Sequence, residues 1–509
     1  NAVFYGNVLP PALGAQFELP AWFSEGLAEY FASGGLSAEA DMALRDILSH
    51  NAFSGFASLA ERENRSLAAP VGNAFFWYVA EKFGVGRIGE FLSRLRGLRS
   101  VDNAFRSTFG MNAEGFAAAW KRELKNEFLP SSGAFDDAQQ AAARVIPVAD
   151  NSSRLNASPA WSPVADKSGD RLAYLSEQDG VWHLMALFDG RFKRVQRLLN
   201  TGKAVDKSRF YLRESSAQWL AWKPDGSQIA CVVADGAGES VALVNPQNGA
   251  VARFDLGLDN VFGVAWSPDG RTIAIAASKN ENPDLYAFDV ASKKLTRLTN
   301  DVFTEYAPAF APDGKTLYFL SNRAGNLSAQ SSSATIDMWS HTVGVSDLYA
   351  LSMQPKRGGE AAGIERLTIT PEQRKIALSV APDGKRLFIV SDRSGVYNCY
   401  ELTLATGALE ARTNLKSGAR EFGFSRDGSR LLLSALSNGA FDIVAVPYSA
   451  KDKPKNPEPT TLRRQSLERE SAAAKALDKA GKTDGDDLEA NAAEEIIVLQ
   501  TPDSLRGYG

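Results

Sequence analysis

The sequence predicts a multidomain chain: an all-α helical domain, then an all-β six-bladed propeller, then a disordered tail. Three observations carry this reading. A Pro-Asp-Gly motif between apolar runs recurs at a fixed interval. Residues before about 129 carry apolar side chains at helical spacing. After about 450 the composition becomes rich in charged residues and alanine.

The repeat is plainest at Ala265-Trp-Ser-Pro-Asp-Gly-Arg-Thr-Ile-Ala-Ile275. Pro268 presets φ for a tight turn, Asp269 can bond its own backbone, and Gly270 accepts the angles that close it. Further copies stand at Ala221–Gly226, Ala309–Gly314, Val380–Gly384 and Phe424–Gly428. A degenerate one starts at Ala160-Trp-Ser-Pro163. Asp225, Asp269 and Asp313 are 44 residues apart, as are Asp383 and Asp427. A period in the forties built from short strands is the pattern of a propeller with four strands per blade. In the third unit those strands are expected at Gly263–Ser267, Thr272–Ala277, Asp284–Asp289 and Lys294–Thr299. Asp-Leu-Tyr recurs at 347–349 and Leu-Thr at 367–368.

Two features break the regularity. Asp313 and Asp383 are 70 residues apart, and the excess falls at Asn322–Ser346. It reads as a surface excursion between the second and third strands, with Met338, Trp339 and His341 as a candidate partner-contacting loop, because unusually long loops are often functional. The sixth unit runs from strands near Glu421–Phe424, Arg430–Ala435 and Phe441–Val446 into Lys451-Asp-Lys-Pro-Lys, which cannot form an outer strand. Residues 143–149 are expected to supply it and close the ring, with Glu495–Leu499 as the alternative. Closure by both chain ends would remove free sheet edges. The propeller therefore spans 143–449, after a linker at 130–142.

In the helical region, amphipathic patterns cover Phe23–Ser33, Ala38–Asn51, Ala74–Phe83, Ile88–Gly97, Val101–Phe109 and Ala113–Phe128. Gly84 and Gly110 stand where helices end. The tail, 450–509, is expected to be solvated and flexible, with a transient helix at Leu467–Ala480.

The 509 residues carry a net charge of −4, which excludes a broadly basic nucleic-acid surface. No apolar run reaches the roughly 18 residues of a membrane helix. Cys231 and Cys399 fall in non-adjacent units, so no bridge is expected. His183 reads as a strand residue and His50 as a helix-end residue. The chain begins at Asn1 without a methionine and reads as a processed or truncated product.

The stretch Leu19-Pro-Ala-Trp-Phe-Ser-Glu-Gly-Leu-Ala-Glu-Tyr30 places Glu25 and Glu29 one helical turn apart. It resembles the W-x-x-E-G-x-A-E-[YF] segment of gluzincin (peptidase MA-like) metallopeptidases. Gly72–Gly84, Phe109-Gly110 and Phe116–Leu124 resemble the helical half that follows it, so the resemblance covers about 1–128. It implies that Glu25 is a zinc ligand and Glu29 a partner of a ligand histidine. The family's His-Glu-x-x-His is absent from this sequence and would lie upstream of Asn1, so the chain by itself should be inactive. Ala68-Ala-Pro-Val71 stands where relatives often carry a tyrosine.

The repeats resemble the TolB-type propeller repeat, W-S-P-D-G-x-x-[IL]-[AY]-[FIV], over about 143–448. This implies a periplasmic or cell-surface protein that binds proteins or peptides at a propeller face and needs no cofactor there. Together the two resemblances imply an envelope-associated zinc metallopeptidase-like protein with a partner-binding propeller. The alternative is a non-catalytic interaction scaffold with a vestigial peptidase-like domain. A serine hydrolase of the prolyl oligopeptidase type is excluded by the lack of a G-x-S-x-G elbow.

Overall fold

The computed structural model describes residues 19–51, 53–60, 67–128, 133, 135–138, 143–146, 155–165, 170–178, 180–188, 194–204, 218–235, 238–280, 282–330, 346–354, 363–370, 373–455, 457, 459, 460 and 464. Two compact units divide the chain, one of residues 1–131 with 459–509 and one of 132–458. No helix among the described residues is long and apolar enough to cross a membrane.

The helical unit contains α1 (Ala21–Ser33), α2 (Ala38–His50), α3 (Ala68–Phe83), α4 (Gly86–Leu98), α5 (Val101–Phe109) and α6 (Ala113–Phe128). Its core is aromatic. Trp22 stacks on Phe56 at 4.3 Å between ring centroids, and Phe56 stacks on Trp120 at 5.8 Å. Phe75 meets both Trp22 and Phe105 within 5.6 Å.

Helices α1 and α3 cross at two glycines. A β-carbon on Gly72 would lie 1.7 Å from the Trp22 carbonyl oxygen, and one on Gly26 would lie 2.4 Å from Gly72 backbone atoms. Asn73, the next residue and fully buried, fastens the turn between α1 and α2. Its Oδ1 accepts from the Ser37 N–H at 3.3 Å, and its Nδ2 donates to Ser33 Oγ and the Gly35 carbonyl.

Helix α3 begins at Ala68, six residues before the expected Ala74. Pro70 and Gly72, residue types that disfavour helix interiors, are accommodated for separate reasons. Pro70 lies in the first turn, where an N–H has no intrahelical acceptor to lose. Gly72 is set by the crossing with α1.

The second unit is a six-bladed propeller of four-stranded antiparallel sheets. Blade 3 illustrates the order: Asn260–Trp266 is innermost, followed by Thr272–Lys279, Asn282–Asp289 and Lys294–Arg297. Blade 6 takes its first three strands from Ala419–Phe424, Arg430–Ser437 and Ala440–Pro447, and its outermost from Ala143–Arg144. Ala143 pairs with Ala445 and Arg144 with Val444, and Val145 donates its N–H to the Ile443 carbonyl at 3.0 Å. Val145 and Ile146 are buried in a core shared with Trp161, Leu172 and Ile443. The alternative at 495–499 lies outside the described residues.

Each Pro-Asp-Gly turn has the geometry its residues dictate. In blade 3, Asp269 Oδ1 accepts from the Arg271 N–H and the Ser267 hydroxyl, and Gly270 takes φ 68°. The turns also nest around the ring. Positions for β-carbons on Gly270, Gly314, Gly384 and Gly428 fall within 3.2–4.0 Å of Pro224, Pro268, Pro312 and Pro382 of the preceding blade.

The chain remains with the propeller to 458, beyond the expected start of the tail near 450. Lys455 forms an antiparallel bridge to Ala411 of blade 5, with its N–H on the Ala411 carbonyl at 2.9 Å, and Arg412 donates to the Asp452 carbonyl. Backbone pairing of this kind leaves no mark in a polar, Pro- and Lys-rich composition.

Candidate functional site

In the helical unit, Pro20 precedes α1 and its carbonyl accepts the N–H groups of Phe23 and Ser24. The helix turns Glu25 toward a pocket of about 700 Å³ lined by Trp22, Ser24, Phe56, Leu59, Val101 and Glu114. Glu114 is fixed on the pocket wall because its Oε1 accepts the Ala57 N–H at 2.9 Å. Glu29, one turn beyond Glu25, is buried, 3% exposed, and has a different environment. The Ser37 hydroxyl donates to its Oε1 at 2.5 Å, while Ser37 Oγ accepts the Ala40 N–H and so caps α2. Two carboxylates that the sequence places on one helix face thus take separate surroundings, Glu25 at a pocket and Glu29 at a helix junction. His50 belongs to the far end of α2, with Nδ1 3.0 Å from Asp46 Oδ1.

In the propeller, inner and third strands begin, and second and outer strands end, on the face opposite the Pro-Asp-Gly turns. The long excursion leaves that face after Ser321 and returns at Asp347. Met338, Trp339 and His341 lie outside the described residues. Both roots of the excursion are held by buried charge. At the first, the Arg323 guanidinium, fully buried, bonds Asp301 at 2.9 Å and Glu305 at 2.5 Å. Asp284 pairs with Arg297. Three carboxylates, Asp284, Asp301 and Glu305, lie within 4.8 Å of one another here. Burial pushes Glu305 up to about 8, against the pull of Arg323. Two guanidiniums interleave with the acids, so the arrangement is an ion-pair network that lacks one positive charge.

At the second root, the buried Lys375 ammonium donates to the Ser346 carbonyl at 2.6 Å, Thr370 Oγ1 at 2.5 Å and Asp347 Oδ1 at 3.0 Å. Burial pushes the Asp347 carboxyl up, but Lys375 and Arg366 outweigh it and hold it below the usual range. Thr368 Oγ1 donates to Asp347 and accepts the Leu348 N–H. Thr299 accepts the Leu285 N–H in blade 3 and Thr413 the Cys399 N–H in blade 5. The recurring Leu-Thr and Asp-Leu-Tyr sequences are thus two sides of one strand-end clasp.

A small cavity of about 30 Å³, room for one water, lies among the inner strands between Ser158, Gln218, Ala307, Ala377 and Glu421. Glu421 accepts the Ser158 N–H across the seam between blades 6 and 1. Burial pushes it up to about 7, against Arg420.

Sequence reasoning passed over Glu305, Arg323, Lys375 and Glu421. Only their partners left a signal, in the repeated Asp-Leu-Tyr and Leu-Thr. Cys231 and Cys399 are buried and unbridged, and His183 is a buried strand residue of blade 1.

The family described as the TolB beta propeller domain matches residues 209–335, within the propeller. Among solved structures, TolB from Acinetobacter baumannii shares 22% identity over 55% of this chain and 64% of its own, with a TM-score of 0.38. A TolB candidate from Agrobacterium tumefaciens shares 18% over 58% of this chain and 91% of its own, TM-score 0.40. The tricorn protease shares 14% over 65% of this chain and 34% of its own, TM-score 0.37. This chain therefore spans less than two thirds of the Acinetobacter protein. No curated protein matches it.

Proposed function

We propose that the chain is part of an envelope-associated protein, periplasmic or at the cell surface, whose propeller binds protein or peptide partners on the face that carries the long excursion. The observation that carries this is an anchored, partly apolar face. On the excursion face Ile369 is 75% exposed and Leu327 46%, and buried ion pairs fix the framework around both. Rigid framing of exposed apolar side chains lowers the entropy cost of docking. The match to the TolB beta propeller domain supports the same class of activity.

The test is site-specific photo-crosslinking of the intact protein in its cell envelope. A crosslinker at Ile369 or Leu327 should give a discrete protein adduct, and one at Asp269 or Asp313 on the turn face should not. Adducts from the turn face alone would overturn the assignment.

A second reading rests on Glu25. Its carboxylate lines an open pocket, as a zinc ligand of a gluzincin site would. Zinc takes three protein ligands plus water in a catalytic site. Among the described residues the pocket offers only the carboxylates of Glu25 and Glu114 and no histidine, so this chain does not by itself fit a zinc ion. We infer that Glu25 supplies one ligand to a site whose histidines come from sequence outside this chain, where zinc would activate water for peptide hydrolysis. Zinc content of the intact protein before and after Glu25→Gln decides it. Loss of zinc supports the metallopeptidase, and unchanged zinc leaves the non-catalytic scaffold.

A further inference from the structure

The sequence holds two Asn-Gly pairs, Asn248-Gly249 and Asn438-Gly439. Chemically they are alike. The backbone nitrogen after an asparagine can attack that side chain's amide carbon and close a cyclic succinimide, and glycine is the residue that hinders the approach least. Both asparagines are exposed. The fold nevertheless gives the two pairs different surroundings.

Asn438-Gly439 is locked. It is the two-residue turn between the second and third strands of blade 6, where Ser437 pairs with Ala440. Asn438 takes φ 52° and Gly439 φ 69°, both positive as a turn of this length requires, and Gly439 is buried. Cyclisation there has to twist the turn out of the geometry that keeps the strands Arg430–Ser437 and Ala440–Pro447 in register.

Asn248-Gly249 lies in the open connection between the third and outer strands of blade 2, Gly238–Val244 and Val251–Leu258. Nothing lies within 4 Å of the place a β-carbon on Gly249 would take. The Ala250 N–H donates to Asn248 Oδ1 at 3.0 Å. That bond closes a ring containing both Asn248 Cγ and Gly249 N, so it keeps the side chain folded back toward the nitrogen that attacks it. The same N–H stabilises the negative charge that develops on Oδ1 during attack. The bond that must open runs from the Gly249 N–H to the Asn245 carbonyl, at 2.9 Å.

We propose that Asn248 is a site of spontaneous covalent modification. The Gly249 nitrogen gives up its proton and bonds to Asn248 Cγ, the Cγ–Nδ2 bond breaks, and Nδ2 leaves as ammonia. Water then opens the succinimide at either carbonyl and leaves aspartate or isoaspartate. Blade 2 gains a negative charge. The isoaspartate form also inserts a methylene into the main chain beside the Val244–Val251 pair. The site is on the face of the Pro-Asp-Gly turns, so it is independent of the partner face proposed above.

Peptide mapping of the folded full chain, held at mildly alkaline pH, tests this, with the two free peptides that carry the pairs as controls. The free peptides should convert at similar rates. In the folded chain Asn248 should convert at least about tenfold faster than Asn438, because the paired hairpin opens far less often than an exposed turn. Its products should include isoaspartate, and Asn248→Gln should abolish them. Equal conversion at the two sites, or faster conversion at Asn438, overturns the proposal. Aspartate without isoaspartate also overturns it, because direct hydrolysis then replaces the cyclic route. So does a folded Asn248 that stays intact over the time in which its free peptide reacts.

Discussion

Arg323 Nη2 donates to Glu305 Oε1 at 2.5 Å, and neither side chain is exposed. Arg323 stands at the first root of the long excursion and Glu305 at the start of blade 4's inner strand, so the pair ties excursion to ring. Around it, Asp284 and Asp301 raise the count to three carboxylates against Arg297 and Arg323. The excess of negative charge, with burial, is why Glu305 holds its proton up to about pH 8.

This fixes a pH dependence. The folded pKa of Glu305 lies above its unfolded value, so the folded state binds more protons between the two, and stability falls as pH rises from about 4.5 to 8. The group contributes a change of at most about 5 kcal/mol across that window. Glu305→Gln keeps the shape and removes the titration. Urea denaturation of the propeller at pH 5, 6.5 and 8 should show a flatter profile for the variant. An identical slope would mean that another group holds the proton.

Glu421 offers an independent case at the ring seam. Its carboxylate accepts the Ser158 N–H from blade 1, and burial raises it to about 7. At pH 5 it is protonated, and its carbonyl oxygen still accepts that N–H. Glu421→Ala leaves the Ser158 N–H without this acceptor and should cost about 1–3 kcal/mol at pH 5. Glu421→Gln should cost little at pH 5 and stabilise the propeller at pH 8, where the native carboxylate is ionised in a buried site. Thermal unfolding at the two pH values checks both signs.

The fold was legible where physical demands repeat. Six units each need a turn, so Pro268-Asp269-Gly270 and its copies appear at a fixed spacing. The ring needs an outer strand that the sixth unit lacks, and 143–149 was the stretch that could supply it. The buried charge was not legible, because Lys375 and Arg323 are ordinary surface residue types and only three-dimensional closure brings Asp347 and Glu305 to them. In the helical unit the Trp22-x-x-Glu-Gly26 pattern was visible, but its reasons are mixed. Trp22 and Gly26 serve packing, Glu29 serves the α2 cap, and Glu25 is the carboxylate of the pattern that lines the pocket.

The crossing of α1 and α3 separates two glycines of opposite sign. Gly72→Ala puts a β-carbon 1.7 Å from the Trp22 carbonyl oxygen, a backbone atom that cannot swing away. The helices must part, and overpacking of this kind costs about 1–3 kcal/mol or more. Gly89 lies inside α4 with nothing within 4 Å of the position a β-carbon would take, so Gly89→Ala should stabilise the same unit by about 0.5–1 kcal/mol. Thermal unfolding followed by far-ultraviolet helix signal distinguishes the two, and equal effects would refute the crossing.

The nested turns allow packing to be separated from backbone strain. Gly384 and Gly428 occupy the same place in the motif, with φ 67° and 68°. Alanine at either bears the same left-handed penalty, about 1–2 kcal/mol. Their neighbours differ. A β-carbon on Gly384 comes to 3.2 Å from both Cδ and Cγ of Pro312, while one on Gly428 stays 4.0 Å from Pro382. Gly384→Ala must therefore push blade 5 away from blade 4 as well as strain its turn, and a proline ring has little freedom to yield. Gly384→Ala should lower propeller stability by about 1 kcal/mol more than Gly428→Ala. Pro312→Ala in the Gly384→Ala background should recover that difference, and in the Gly428→Ala background it should recover none. Denaturant midpoints of these four chains measure the coupling. Equal losses at the two glycines would confine the motif to closing its own turn, with no part in holding neighbouring blades together.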